Sequence, residues 1–183
     1  MRFSRSGLGS LNESGPQDKD TILRSDKAFG GRVTFNTKGY YGFEAGLLRS
    51  DGKITTQIRT SGQPAENRVS GVKVHTAFVN FISYMMPSGE RWRPFLTGGM
   101  QAYDYGKAVF GDLRVEKARH YGANYGGGVK INVFPHGLLR IDARHSLGGR
   151  PYGLTFRDAT KADKLFQQIE LTAGFSITFG GAN

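Results

Sequence analysis

Gln167-Gln168-Ile169-Glu170-Leu171-Thr172-Ala173-Gly174-Phe175-Ser176-Ile177-Thr178-Phe179 is the stretch that decides the fold. Ile169, Leu171, Ala173, Phe175, Ile177 and Phe179 fall on one face, and Gln168, Glu170, Thr172, Gly174, Ser176 and Thr178 on the other. Unbroken period-two alternation predicts a β-strand with one apolar face. The run exceeds the roughly 5–6 residues of a soluble strand. It reaches the roughly 9–11 residues with which a tilted strand crosses a bilayer.

The same pattern recurs upstream. Tyr121, Ala123, Tyr125, Gly127, Val129, Ile131 and Val133 alternate with Gly122, Asn124, Gly126, Gly128, Lys130 and Asn132. Leu139, Ile141 and Ala143 alternate with Arg140, Asp142 and Arg144; Phe29, Val33 and Phe35 alternate with Gly30, Arg32 and Thr34. Tyr41, Phe43, Ala45 and Leu47 alternate with Gly42, Glu44 and Gly46. Val69 to Met85 and Arg93 to Lys107 are β-rich with a less regular pattern, and Met1 to about Gly9 supplies a short first strand. The expected fold is all-β, an eight-stranded antiparallel up-and-down transmembrane barrel in one domain, 1–183, its first strand cut short upstream.

Composition agrees with alternation. Glycine is frequent at 27 residues, aromatics reach 12%, and mean hydropathy is only −0.42 because polar residues interrupt every apolar segment. No run approaches the roughly 20 apolar residues of a membrane helix. Cysteine is absent, which removes disulfides and thiolate metal sites. Met1-Arg2-Phe3-Ser4 lacks the apolar core of a secretory signal, so an exported protein would be represented here by its mature part. The net charge of +10 is scattered among acids without a basic tract, which speaks against nucleic acid and for an anionic membrane surface.

The connectors predict the orientation. Thr37-Lys38-Gly39, Pro87-Ser88-Gly89-Glu90 and Pro135-His136-Gly137 have the Gly and Pro chemistry of tight turns. Long polar stretches alternate with them: Ser10 to Lys27, Ser50 to Asn67, Ala108 to Arg119 and Gly148 to Asp163. Short periplasmic turns and long extracellular loops are the expected arrangement. Phe35, Tyr40, Tyr41, Tyr84, Trp92, Phe134 and Phe179 near the turns, with Tyr103, Tyr105, Tyr121 and Phe166 near the loops, suggest two interfacial aromatic girdles. Arg32, Glu44, Lys130, Arg140, Asp142, Arg144 and Glu170 would share the inner face as a plugged, ion-paired lumen. A lipocalin-like barrel with an apolar interior is the soluble alternative, disfavoured by charges of both signs on one face.

Arg93-Pro94-Phe95-Leu96-Thr97-Gly98-Gly99, Asn124 to Lys130, Leu139 to Arg144 and Leu171 to Phe179 resemble the eight-stranded outer-membrane β-barrel superfamily, which includes the OmpA membrane domain and the OmpX-type and Ail-type proteins. The resemblance runs from about Ala28 to Phe179 and implies a location in a Gram-negative outer membrane. Such barrels usually end on an aromatic residue, whereas Gly180-Gly181-Ala182-Asn183 follow Phe179 here.

Two functions follow from these readings. The first is a non-enzymatic envelope barrel, without cofactor or metal, that contributes structure or binds partners through basic loops. Arg49, Lys53, Arg59, Arg68, Lys107, Arg114, Lys117, Arg119, Arg150 and Arg157 would meet lipopolysaccharide phosphates there. Against this stands the small value of any single exposed charge. The alternative is a lipid A deacylase-like hydrolase using His145 and Ser146, which adjacent positions on a strand would send to opposite faces. His75, His120 and His136 lack the spacing of metal ligands. Gly126-Gly127-Gly128 and Gly148-Gly149 lack the Lys-Ser/Thr and helix of a phosphate loop.

Overall fold

The computed structural model describes residues 2–4, 7–10, 17–37, 39–60, 66–110, 113–149 and 166–179, with side chains described for 27–37, 39–53, 69, 71–107, 116–149 and 167–179. Among these residues every regular element is a β-strand. Two short segments, β1 (Arg2–Ser4) and β2 (Gly7–Ser10), precede β3 (Gln17–Asn36), β4 (Tyr41–Thr60), β5 (Glu66–Tyr84) and β6 (Trp92–Tyr105). A small pair, β7 (Ala108–Phe110) and β8 (Leu113–Val115), leads to β9 (Ala118–Phe134), β10 (Gly137–Gly148) and β11 (Phe166–Ile177). The seven long strands form one antiparallel up-and-down sheet in the order β3-β4-β5-β6-β9-β10-β11. β2 pairs with β3 at one edge, and β1 pairs with β11 at the other.

The tight turns lie where the Gly and Pro chemistry predicts them. Thr37 closes the β3–β4 turn twice, its backbone N–H and its hydroxyl both donating to the Tyr41 carbonyl, at 2.9 and 2.8 Å. Lys38 in the same turn lies outside the described residues. Gly89 adopts φ 97° between β5 and β6, a left-handed conformation that a side chain resists.

The predicted long loops are corrected in three places. β3 and β4 are 20 residues long and β5 is 19, so most of Ser10 to Lys27 and Ser50 to Asn67 is strand. Polarity concealed this: Ile54-Thr55-Thr56-Gln57-Ile58 is polar on average but rich in β-branched residues, which favour the pleat. Ala108 to Arg119 carries the β7–β8 pair. Most of the fourth stretch, residues 150–163, lies outside the described residues.

The sheet is curled, and side-chain contacts measure how far. β3 and β10 are five strands apart in the order, which in a flat sheet is roughly 24 Å at about 4.8 Å per strand. Yet Arg32 Nη1 of β3 lies 3.2 Å from Asp142 Oδ2 of β10. Only strong curvature brings these side chains together over the concave face. Glycines on β9 thin that face where it is most crowded. Gly128 stands opposite Asp142 in register, and a Cβ there would fall 2.5 Å from the Asp142 Cβ.

Polarity is inverted between the two faces. The concave face buries Glu44, Arg140, Asp142, Arg144, Lys130 and Glu170, each at most 5% exposed, together with Ile82, Phe95 and Phe78. The convex face exposes Phe35, Phe43, Leu47, Val79, Leu96 and Met100, the last at 73%. Three predicted girdle residues are corrected by this parity. Tyr84, Tyr103 and Tyr105 are buried on the concave face because they share the phase of Asn80, Phe95 and Gln101. The mixture of rings and polar groups on that face explains why β5 and β6 looked irregular in sequence. Truncating Phe95, which packs against Tyr84, to Ala should cost about 3–5 kcal/mol, read from urea unfolding of the refolded protein.

Candidate functional site

Strand parity assembles the most highly charged buried site among the described residues. Arg140, Asp142 and Arg144 occupy alternate positions of β10, so their side chains stack on the concave face. Arg140 Nε and Arg144 Nε donate to opposite oxygens of Asp142, at 3.0 and 2.9 Å. Glu44, facing them from β4, accepts a short hydrogen bond from Arg140 Nη1 and one of 2.6 Å from Arg144 Nη2. Arg32 Nη1 adds the third cation, 3.2 Å from Asp142 and 3.8 Å from Glu44. Thr34 donates its hydroxyl to Glu44 at 3.3 Å. Two buried carboxylates are thereby held by three guanidiniums.

Aromatic faces complete the cage. The guanidinium of Arg140 lies 4.4 Å from the Phe95 ring centre and that of Arg144 4.6 Å from the Phe78 centre. Each arginine thus meets a carboxylate along its edge and a ring on its face, which suits a planar, weakly hydrated cation. Toward the tight turns, Arg93 stacks at 3.8 Å on Tyr84, and Lys130 donates to the Tyr84 hydroxyl. That hydroxyl in turn donates to Asn36 Oδ1. Toward the opposite end, Asn124 Nδ2 donates to Asn80 Oδ1 at 3.0 Å, and Gln101 bonds Tyr103. Polar side chains occupy the concave face on both sides of the cage.

The residues expected in the lumen therefore share one face. Arg32, Glu44, Arg140, Asp142 and Arg144 form the cage; Lys130 joins Tyr84; Glu170 stands opposite both Arg144 and Arg2 in register. Sequence reading missed Tyr84, Arg93, Phe78 and Phe95 as members of this interior. The available signal was parity, since Tyr84 shares its phase with Asn80 and Arg93 shares its phase with Thr97 and Gln101.

His145 and Ser146 are not brought together. His145 Nδ1 lies 2.8 Å from the Tyr125 hydroxyl, its convex-face neighbour. Ser146 is buried on the concave face, its Oγ 3.5 Å from Gln101 Oε1. Among the described residues no group of three or more His, Asp or Glu is placed to hold a metal.

The basic residues expected in loops divide differently. Arg49 and Lys53 lie on β4, and Arg119 on β9 pairs with Asp104 at 3.4 Å. Lys107 pairs with Glu116 at 3.0 Å in solvent, and Lys117 is exposed beside it. Arg59, Arg68 and Arg114 lie on strands, their side chains outside the described set, and Arg150 and Arg157 lie outside the described residues.

No protein-family model matches the chain, and neither a curated protein nor a solved structure does. The site's meaning must come from its own geometry.

The cage predicts strong coupling between β4 and β10. Glu44→Gln leaves three guanidiniums around one carboxylate and should cost about 3–5 kcal/mol. Glu44→Gln combined with Arg144→Gln should cost less than the sum of the two, by about 1–3 kcal/mol. Urea unfolding of the four proteins of this cycle measures the difference, and simple additivity would rule the coupling out.

Proposed function

We propose that the chain is a non-enzymatic, eight-stranded β-barrel of the Gram-negative outer membrane, with a plugged lumen, that serves envelope structure or surface binding at its far rim. The observation that carries this reading is a sharp boundary on the convex face. Leu47, Ala77, Ala102 and Tyr121 are mutual neighbours in one rung across β4, β5, β6 and β9. One rung further from the tight turns, the same four strands present Arg49, His75, Asp104 and Arg119. The convex face turns from apolar to polar or charged at the same level on all four strands.

The depth of the apolar zone fits a bilayer. On β6 it runs from Trp92 to Ala102, 11 residues, the length that a tilted strand needs to cross the hydrocarbon core. An exposed apolar surface of this extent demands a cover. Lipid supplies one without uncovering the concave face, whose carboxylates Glu44 and Asp142 are held by Arg32, Arg140 and Arg144. Two further observations support closure with an eighth strand. Segments β1 and β2, three and four residues from one stretch of chain, pair with opposite edges of the sheet, and Arg32 reaches Asp142 across it. The plug follows from the cage, since any solute path would have to part Glu44 from its arginines.

Folded in detergent, the protein should migrate differently on a gel before and after heating; equal mobility would reject the barrel. Leu96→Arg, placed near the middle of the apolar zone, should destabilise the folded form by about 2–4 kcal/mol, while Ser88→Arg in the tight turn should leave the heat shift unchanged. In planar bilayers the folded protein should give no steady channel current.

A further inference from the structure

The charged rung and the apolar rung beneath it enclose a depression on the convex face. Its volume is ≈ 560 Å³, within the usual range of ligand sites. The floor is made by Ala77 and Ala102, too small to fill the space between Leu47 and Tyr121, and by Gly31 on the other side of Leu47. Phe29 closes one side. Above the floor stand Arg49, His75, Asp104 and Arg119, in register across adjacent strands. The depression is thus apolar on one side and basic on the other.

The basic side has an unmet requirement. Arg49 stacks at 5.9 Å over the Phe29 ring, and its Nε is buried with no hydrogen-bond partner among the described residues. A buried, unpartnered donor on a cation is costly, and an oxyanion satisfies it with a charge-assisted bond. His75 stands directly opposite Arg49 and offers a ring nitrogen beside it. Arg119 is held at 3.4 Å by Asp104, but both side chains are about half exposed or more, so the pair is weak and exchangeable. The next rung adds Asp51 opposite Lys73. With Arg49 and Arg119 against Asp104 alone, the depression carries a net positive charge.

We infer that this depression binds a phosphorylated, multi-chain glycolipid of the lipid A type, with phosphate on Arg49 and His75 and acyl chains along Ala77 and Ala102. Membrane insertion as proposed above is the precondition, since it sets the rung at headgroup level. Two features select the glycolipid over a two-chain phospholipid. Arg49 and Arg119 are three strands apart, roughly 14 Å at about 4.8 Å per strand, a separation suited to a headgroup with two phosphates. The apolar rung spans four strands from Gly31 on β3 to Ala102 on β6, and the small residues on either side of Leu47 leave room for chains side by side.

The test is native mass spectrometry of the detergent-folded protein with lipid A, dephosphorylated lipid A or phosphatidylglycerol. Lipid A should bind at least tenfold more tightly than either of the others. Arg49→Gln should weaken lipid A about tenfold, and Ala77→Phe, which fills the floor without touching the charges, should weaken it comparably. Lys117→Gln, of equal charge change but away from the depression, should leave affinity unchanged. Equal loss in Lys117→Gln and Arg49→Gln would overturn the site in favour of diffuse charge attraction. Equal binding of phosphatidylglycerol would overturn the glycolipid, and displacement by equimolar inorganic phosphate would overturn the role of the chains. Each variant is first checked for its heat-dependent gel shift. A retained shift without lipid A binding rejects the site and leaves the barrel standing, whereas loss of the shift in the unmodified protein rejects the barrel itself.

Discussion

Pairing of Glu44 and Asp142 with Arg32, Arg140 and Arg144 is the constraint on which the rest of the structure depends. Five ionised side chains out of water cannot persist singly, because each unpaired ion costs several kcal/mol. They are tolerable only if the sheet curls until β3 and β4 reach β10, so curvature and charge pairing require one another. A flatter sheet would leave two carboxylates and three guanidiniums facing nothing. A more tightly closed one would crush Phe78 and Phe95 against the arginines that they cover. The glycines of β9 belong to the same balance: Gly126 and Gly128 sit opposite Arg144 and Asp142, where a side chain would occupy the space that the cage uses.

Filling the concave face with polar groups determines what the convex face must be. Strand geometry sends neighbouring residues to opposite sides, so the apolar half of every alternation is turned outward. In a water-soluble barrel the phase would be reversed. Here Leu47 and Met100 are exposed while Glu44 and Gln101, close to them in sequence, are buried. The phase is fixed independently on several strands and agrees on all of them, which a register slip of one residue would destroy. That agreement gives the outer surface a continuous apolar zone with a defined upper boundary.

Much of this arrangement was legible in sequence where a strand had one strictly polar face. Arg140-Ile141-Asp142-Ala143-Arg144 announces both its strand and its ion pairs, because partners two residues apart on a strand are neighbours on the same face. Glu44 was placed on that face by parity, but its choice of Arg140 and Arg144 was not, since that pairing joins residues about a hundred positions apart. The interior of β5 and β6 was the least legible part. Ile82, Tyr84 and Phe95 are as apolar as the residues behind them, so alternation gave no contrast, and position near a turn suggested an interface for Tyr84. The extended ends of β3, β4 and β5 were missed for a related reason. Their ladders are formed by backbone pairing, and their sequence lacks the apolar alternation that announces a strand.

The cage also locates where function can reside. Its five ions share partners, so moving one leaves others unpaired, and the concave face resists rearrangement. His145 and Ser146, divided between the faces, offer no catalytic pair at the rim of that interior. What stays adaptable is the surface that the cage does not involve. The far ends of β3, β4 and β5 project well beyond the apolar zone, and the rung from Arg49 to Arg119 borders it. Arg49 marks the contrast most clearly: Arg140 and Arg144 are satisfied by the protein's own carboxylates and rings, while Arg49 stacks on Phe29 and leaves a buried donor unanswered. The same residue type is thus built into the fold on the concave face and left with a spare donor on the convex one, which is the physical difference between the cage and the rung beside the apolar zone.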